Sequence, residues 1–183
     1  MSRRLLFLHG ADGFDDDRSI AEGLESALEA PVDMPRLPED KSFGAWATAI
    51  RTHLSRLSAD DLLVAHSFGA SILLRVLAAA DGPRRVVLLA MPDWGPDGWD
   101  VPEYAFTGPV PRGVDLSMHH CLDDEVVPAG HLDLNAALLP DAQLHRHRIG
   151  GRQFVGLAEA IAADAAKPWR GEALGRRRAM DST

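Results

Sequence analysis

The sequence predicts an α/β protein with a single domain, built on a doubly wound, mostly parallel sheet of about six strands flanked by helices. Three observations lead there. The 183 residues, 46% hydrophobic, suit one domain with a real core. Six short apolar runs alternate with helical patterns, which gives a parallel sheet covered on both faces. A tight serine turn joins an apolar strand directly to an apolar helix. In chain order, Leu5 to Leu8 is the first strand, and Ile20, Leu24 and Leu28 share one face of the helix after it. Val32 to Met34 is the weakest run, bracketed by Pro31 and Pro35. Trp46, Ile50, Leu54 and Leu57 form the next helical stripe, Leu62 to Ala65 the third strand, and Ile72 to Leu77 a helix buried all round. Arg85 to Ala90, Val114 to His119 and Gln143 to Arg148 complete the sheet. These stripes read as core rather than as cofactor boxes, so no cofactor is expected.

A net charge of -8 and a pI of about 5.4 argue against nucleic acid or an anionic membrane as partner, since both call for a basic surface. The one basic cluster, Arg176 to Arg178, falls in a tail, residues 167–183, rich in Gly, Arg and Ala and expected to be flexible, which leaves 1–166 as the domain. The single cysteine, Cys121, excludes an internal disulfide and suits a reducing compartment. Arg3 and Arg4 precede only four strongly apolar residues, too few for a signal-peptide core or a membrane span. The expected location is the cytoplasm.

The chemistry concentrates in Asp61 to Leu74, which reads as a nucleophile elbow with Ser67 at its tip. Small residues beside such a serine let strand and helix approach and turn the hydroxyl outward. Gly69 keeps the second small position, and Ala65 stands at the first. An ordinary strand-to-helix turn would use the same residues. Ligands of a doubly wound sheet gather at the carboxyl ends of its strands. After the first strand comes His9-Gly10-Ala11-Asp12-Gly13, and the backbone amides of Ala11 and Phe68 are candidate oxyanion donors. Residues 91–112 carry Trp94, Trp99, Tyr104 and Phe106 in a Pro- and Gly-rich stretch. With His9 they could wall a small apolar acyl pocket, or simply cover the sheet edge.

After the fifth strand comes His120-Cys121-Leu122-Asp123-Asp124-Glu125-Val126-Val127-Pro128. With the His9-Gly10 loop and the serine elbow, this order resembles the α/β-hydrolase superfamily, in particular its small bacterial members without a large lid, over about residues 4 to 165. The resemblance implies a minimal α/β-hydrolase fold, with Asp124 as triad acid, Asp123 as runner-up, and residues 91–112 as a short cap-like loop. Paired aspartates before a proline also suit a helix cap. It further implies a histidine after the last strand, where relatives read much like Gly-Gly-His-Gln-Phe. Here the residues are Gly150-Gly151-Arg152-Gln153-Phe154, so Arg152 replaces that histidine or the histidine is deleted. A guanidinium has no acceptor lone pair and cannot be the base; placed there, it would pair with Asp124. His120, beside the acid loop, is the first candidate substitute. His147 lies five residues before Arg152, roughly 16 Å back along a strand. His119 points to the opposite sheet face from His120, and His66 and His9 flank the catalytic loops.

Three functions compete. One is a serine hydrolase of a small ester, thioester or amide, in which Ser67 attacks, Ala11 and Phe68 hold the oxyanion, and Asp124 orients a histidine. Another is a pseudoenzyme or binding protein that keeps the pocket, with Arg152 holding a carboxylate. The third is a metal site from His145 and His147, with His119, His120 and Asp123 nearby.

Overall fold

The computed structural model describes residues 4–58, 60–79 and 85–168. Six strands, β1 (Leu5–Leu8), β2 (Val32–Asp33), β3 (Leu62–His66), β4 (Arg85–Leu89), β5 (Asp115–Cys121) and β6 (Gln143–His147), form one sheet in the order β2-β1-β3-β4-β5-β6. Every neighbouring pair is parallel. Among the described residues the helices are α1 (Arg18–Leu28), α2 (Phe43–Leu54), α3 (Ser67–Leu77), α4 (Gly130–Leu138) and α5 (Ala158–Ala165).

Alternation along the strands sorts the core into two layers. Leu6, Leu8, Leu63, Ala65, Val86, Leu88, Leu116 and Met118 face α2, α3 and α4, where they meet Trp46, Ile50, Ile72 and Leu132. Leu5, Phe7, Leu62, Val64, Val87 and Leu89 face α1 and α5, against Ile20, Leu24, Ile161 and Ala165. β3 and β4, each with neighbours on both sides, are buried at every residue, which is why they read as unbroken apolar runs.

Every strand except β1 departs by one or two residues from the sequence expectation, and β2 and β5 show the causes. β2 shrinks to two residues at the sheet edge, where Pro31 contributes only its carbonyl, accepting from the Leu5 amide at 3.1 Å. β5 runs on to Cys121, because His119, His120 and Cys121 stay in register with His145, Arg146 and His147 of β6. The expected tail, with Arg176 to Arg178, lies outside the described residues from 169 onward. No helix among the described residues is long and apolar enough to cross a membrane.

Candidate active site

The elbow forms where β3 turns straight into α3. Ser67 is its first helical residue and has φ 54°, a left-handed conformation that a serine adopts only under tertiary constraint. Gly69 shows the constraint: a Cβ there would lie 2.4 Å from the His9 carbonyl oxygen and 3.1 Å from that of Leu8. Helix α3 therefore rests its first turn directly on the end of β1. A Cβ on Gly10 would likewise sit 3.1 Å from the Ser67 Cβ.

Arg152 reaches this serine. Its Nη2 donates a hydrogen bond to Ser67 Oγ, and its Nη1 donates to Asp124 Oδ2 at 3.2 Å. The Asp124 side chain is fully buried, whereas that of Arg152 is 21% exposed. The other Asp124 oxygen accepts from the amides of Val126 (2.8 Å) and Val127 (3.0 Å), which aims the carboxylate at the guanidinium. Asp123 does a different job. Exposed, it accepts from the amides of Gly151 (2.9 Å) and Gly150 (3.2 Å) and so ties the acid loop to the arginine loop. The Gly151 bond, more than any other contact, holds its carboxyl below the ordinary value. The arginine loop is tightly wound, with Gly150, Gly151, Phe154 and Gly156 all at positive φ. A Cβ on Gly150 would meet Leu157 at 2.7 Å and the Cys121 Sγ at 2.9 Å.

Ser67, Arg152 and Asp124 thus form one hydrogen-bonded chain from hydroxyl to buried carboxylate. The two Nη atoms of a guanidinium are about as far apart as the two nitrogens of an imidazole, so the fork spans the gap that a histidine would span. The chemistry is inverted. The serine oxygen accepts a bond from a permanent cation where a triad would have it donate to a base.

No imidazole is hydrogen-bonded to Ser67 Oγ among the described residues. His120 is buried against α4, with Nε2 2.9 Å from the Val127 carbonyl oxygen, an acceptor only, so that nitrogen carries the proton and has no free lone pair. His9 is a tie between segments. Its Nε2 accepts from the Leu37 amide at 2.9 Å, so its Nδ1 carries the proton and donates to the Gly10 carbonyl at 2.7 Å. Burial lowers its pKa, in keeping with the neutral ring. His66 places Nδ1 2.7 Å from Asp17 Oδ2, inside the protein.

His119, His145 and His147 form a separate cluster at the β5–β6 edge. His119 and His145 stack at 4.2 Å, and His119 Nδ1 lies 3.0 Å from His147 Nε2. His119 Nε2 lies 3.1 Å from Asp164 Oδ2. His119, His145 and Asp164 have ligand atoms within 4.8 Å of one another, whereas His147, His120 and Asp123 lie outside that group. The donor set fits a metal poorly. Parallel stacked rings send their lone pairs side by side rather than to one point, and Asp164 already meets Arg85 (2.8 Å), Lys167 (2.7 Å) and Ser117. Burial pushes the Asp164 carboxyl up, but the hydrogen bonds from His119, Lys167 and Ser117 and the charge of Arg85 prevail and hold it far below the usual range.

The aromatic loop packs on α3. Phe68 meets Trp46, Tyr104 and Trp94 edge-to-face at 4.7, 4.9 and 5.8 Å, and Trp94 meets Trp99 at 4.8 Å. Trp94 Nε1 donates to Ser71 Oγ at 2.8 Å, one turn along α3 from the elbow. Ser71, Trp94, Tyr104 and Phe106 line a recess of only about 10 Å³, room for a single water, and Ser67, His9 and Trp99 are not among its lining residues.

For the oxyanion position, the Phe68 amide belongs to the first turn of α3, where backbone N–H groups have no partner within the helix. Ala11 is exposed in the loop after β1. The Gly10 amide is directed elsewhere, to Asp17 Oδ2 at 2.8 Å. Asp17 went unnoticed in the sequence because it ends the run Asp15-Asp16-Asp17, which reads as a solvated surface, yet it alone of the three is buried. Gln153 stands in the loop motif with no local signal of its bond to Asp17.

No family model and no curated protein matches the chain. Solved structures do. The ydeN gene product of Bacillus subtilis superposes with TM-score 0.67 at 16% identity, over 96% of this chain and 98% of that one. Alpha/beta hydrolase domain-containing protein 10 from mouse gives 0.67 at 12% identity, over 89% and 88%. The esterase domain of a Rhodothermus marinus protein gives 0.59 at 17%, over 95% and 84%. This chain has the α/β-hydrolase fold, in a small single-sheet form, and its structural neighbours include hydrolases and esterases.

Proposed function

We propose that the chain binds a small acyl compound at the Ser67 elbow of an α/β-hydrolase frame, with turnover held low because Arg152 stands where the base would act. The bridge from Ser67 Oγ through Arg152 to Asp124 carries this reading. The parts that a nucleophile needs for position are present: the strained φ of Ser67, the close approach at Gly69, and first-turn amides beside the hydroxyl. What is absent from the bridge is a group able to take the serine proton. Loss of a triad base costs up to about a million-fold in turnover, while oxyanion hole and binding alone retain roughly a thousand-fold over water. Binding therefore outlasts catalysis. The ligand carbonyl would face the Ala11 and Phe68 amides, and a carboxylate or ester oxygen would take the outward N–H groups of Arg152.

The test compares wild type, Arg152→His, and a variant with histidine inserted after Arg152, each alone and with Ser67→Ala, using a fluorophosphonate probe and a short p-nitrophenyl ester. Wild type should label slowly or not at all. Either histidine variant should gain about a hundred-fold or more in hydrolysis, the usual worth of a positioned base, and lose it with Ser67→Ala. Substantial wild-type turnover that disappears in His120→Ala would overturn the proposal by showing that a base already works.

A further inference from the structure

Asp17 is 1% exposed and gathers three segments on one carboxylate. Its Oδ2 accepts from the Gly10 amide (2.8 Å) in the loop after β1, and lies 2.7 Å from His66 Nδ1 at the end of β3. Its Oδ1 accepts from Gln153 Nε2 (3.3 Å), next to Arg152. Gly13 makes room: a Cβ there would be 2.9 Å from Asp17 Oδ2. The same loop is clamped once more, because the Gly10 carbonyl accepts from His9 Nδ1 (2.7 Å) and from the Gly13 amide (3.1 Å).

These bonds fix two successive peptide planes. The peptide before Gly10 has its N–H drawn to Asp17. The one after Gly10 has its carbonyl drawn to His9 and Gly13, and because a trans peptide points C=O and N–H in opposite directions, the Ala11 N–H must point the other way. A flip of either plane would strand a buried polar group without a partner. We infer that Asp17 is a positioning residue: with His9 it presets the loop amides beside Ser67 and, through Gln153, locks that loop to the one that carries Arg152. This builds on the proposed role of the elbow as the ligand site, but the geometry of the amides can be read without it.

One substitution separates positioning from mere stability. In Asp17→Asn the side-chain oxygen can still accept from Gly10 and His66, while its NH2 faces Gln153. Gln153 Oε1 is buried and has no partner among the described residues, so a turn of that amide would receive the new donor. Asp17→Ala keeps none of these contacts. Amide hydrogen exchange, read by NMR, should accelerate at Gly10 in Asp17→Ala by ten-fold or more relative to Val64 in β3, and the Ala11 resonance should shift. Asp17→Asn should restore both toward wild type. In the Arg152→His background, the rate of fluorophosphonate labelling per folded molecule should fall at least ten-fold with Asp17→Ala and recover with Asp17→Asn. Uniform acceleration across Gly10 and Val64, or an unmoved Ala11 resonance, would overturn the positioning role. If the amides respond as stated and no variant labels, the positioning stands and it is the acyl-site proposal that fails.

Discussion

Acid should destabilise this protein through a buried histidine, and the structure sets the size of the effect. His119 is 1% exposed, stacked on His145, close to His147, and set against Asp164, whose partners include Arg85, Lys167 and Ser117. Burial foremost lowers its pKa from 6.5 to about 4, despite the opposing hydrogen bond that it donates to Asp164. The unfolded chain then binds a proton at this residue more readily than the folded one. The contribution is complete above about pH 6.5, shrinks as the pH falls, and levels off near pH 4. At 1.36 kcal/mol per pH unit, it removes about 2 kcal/mol by pH 5 and about 3 kcal/mol by pH 4. Burial also lowers the pKa values of His9, His131 and His147, which adds in the same direction. Urea unfolding followed at pH 7.5, 6, 5 and 4 gives the free energy directly. His119→Gln keeps a polar side chain but does not titrate, so its stability should fall by about 2 kcal/mol less than that of wild type between pH 7.5 and pH 5. Equal losses in the two proteins would refute the assignment.

Two further outcomes follow from packing. Gly69→Ala drives a methyl against the His9 and Leu8 carbonyls, and neither can retreat without parting β1 from β3. A loss of about 3 kcal/mol, seen as a fall in Tm of about 6–12 °C, is expected in calorimetry, and an unchanged Tm would show that the elbow is looser than described. Cys121 is fully buried, and burial first, then the charges of Asp123 and Asp124, push its thiol up to about 12. It should react with a disulfide reagent at neutral pH only at the rate of unfolding, and rapid labelling of the native protein would contradict its burial.

The sheet was legible because its central strands are apolar without interruption and its helices carry regular stripes, a pattern set by burial on two faces. The serine turn was legible for the same reason, since a strand that passes into a helix within one residue leaves few geometries. Arg152 could be read as unable to be a base from its chemistry alone. That it spans from Ser67 to Asp124 depends on how far the loop from Gly150 to Gly156 curls, which four positive φ angles set and no local pattern states. His9 looked like a pocket wall because it adjoins the glycine loop. Its ring is instead spent between the Leu37 amide and the Gly10 carbonyl, a pairing across 28 residues. Asp17 could not be told from Asp15 and Asp16, because burial distinguishes them and charge does not.

The arginine in the bridge also changes how the site answers to its surroundings. An imidazole in that place would gain or lose its charge near neutrality, so a triad opens and closes with acidity. A guanidinium keeps its proton throughout the range from about pH 5 to about pH 9. Whatever approaches Ser67 therefore meets the same cation at either end of that range, and the local acidity of the medium has no say in it.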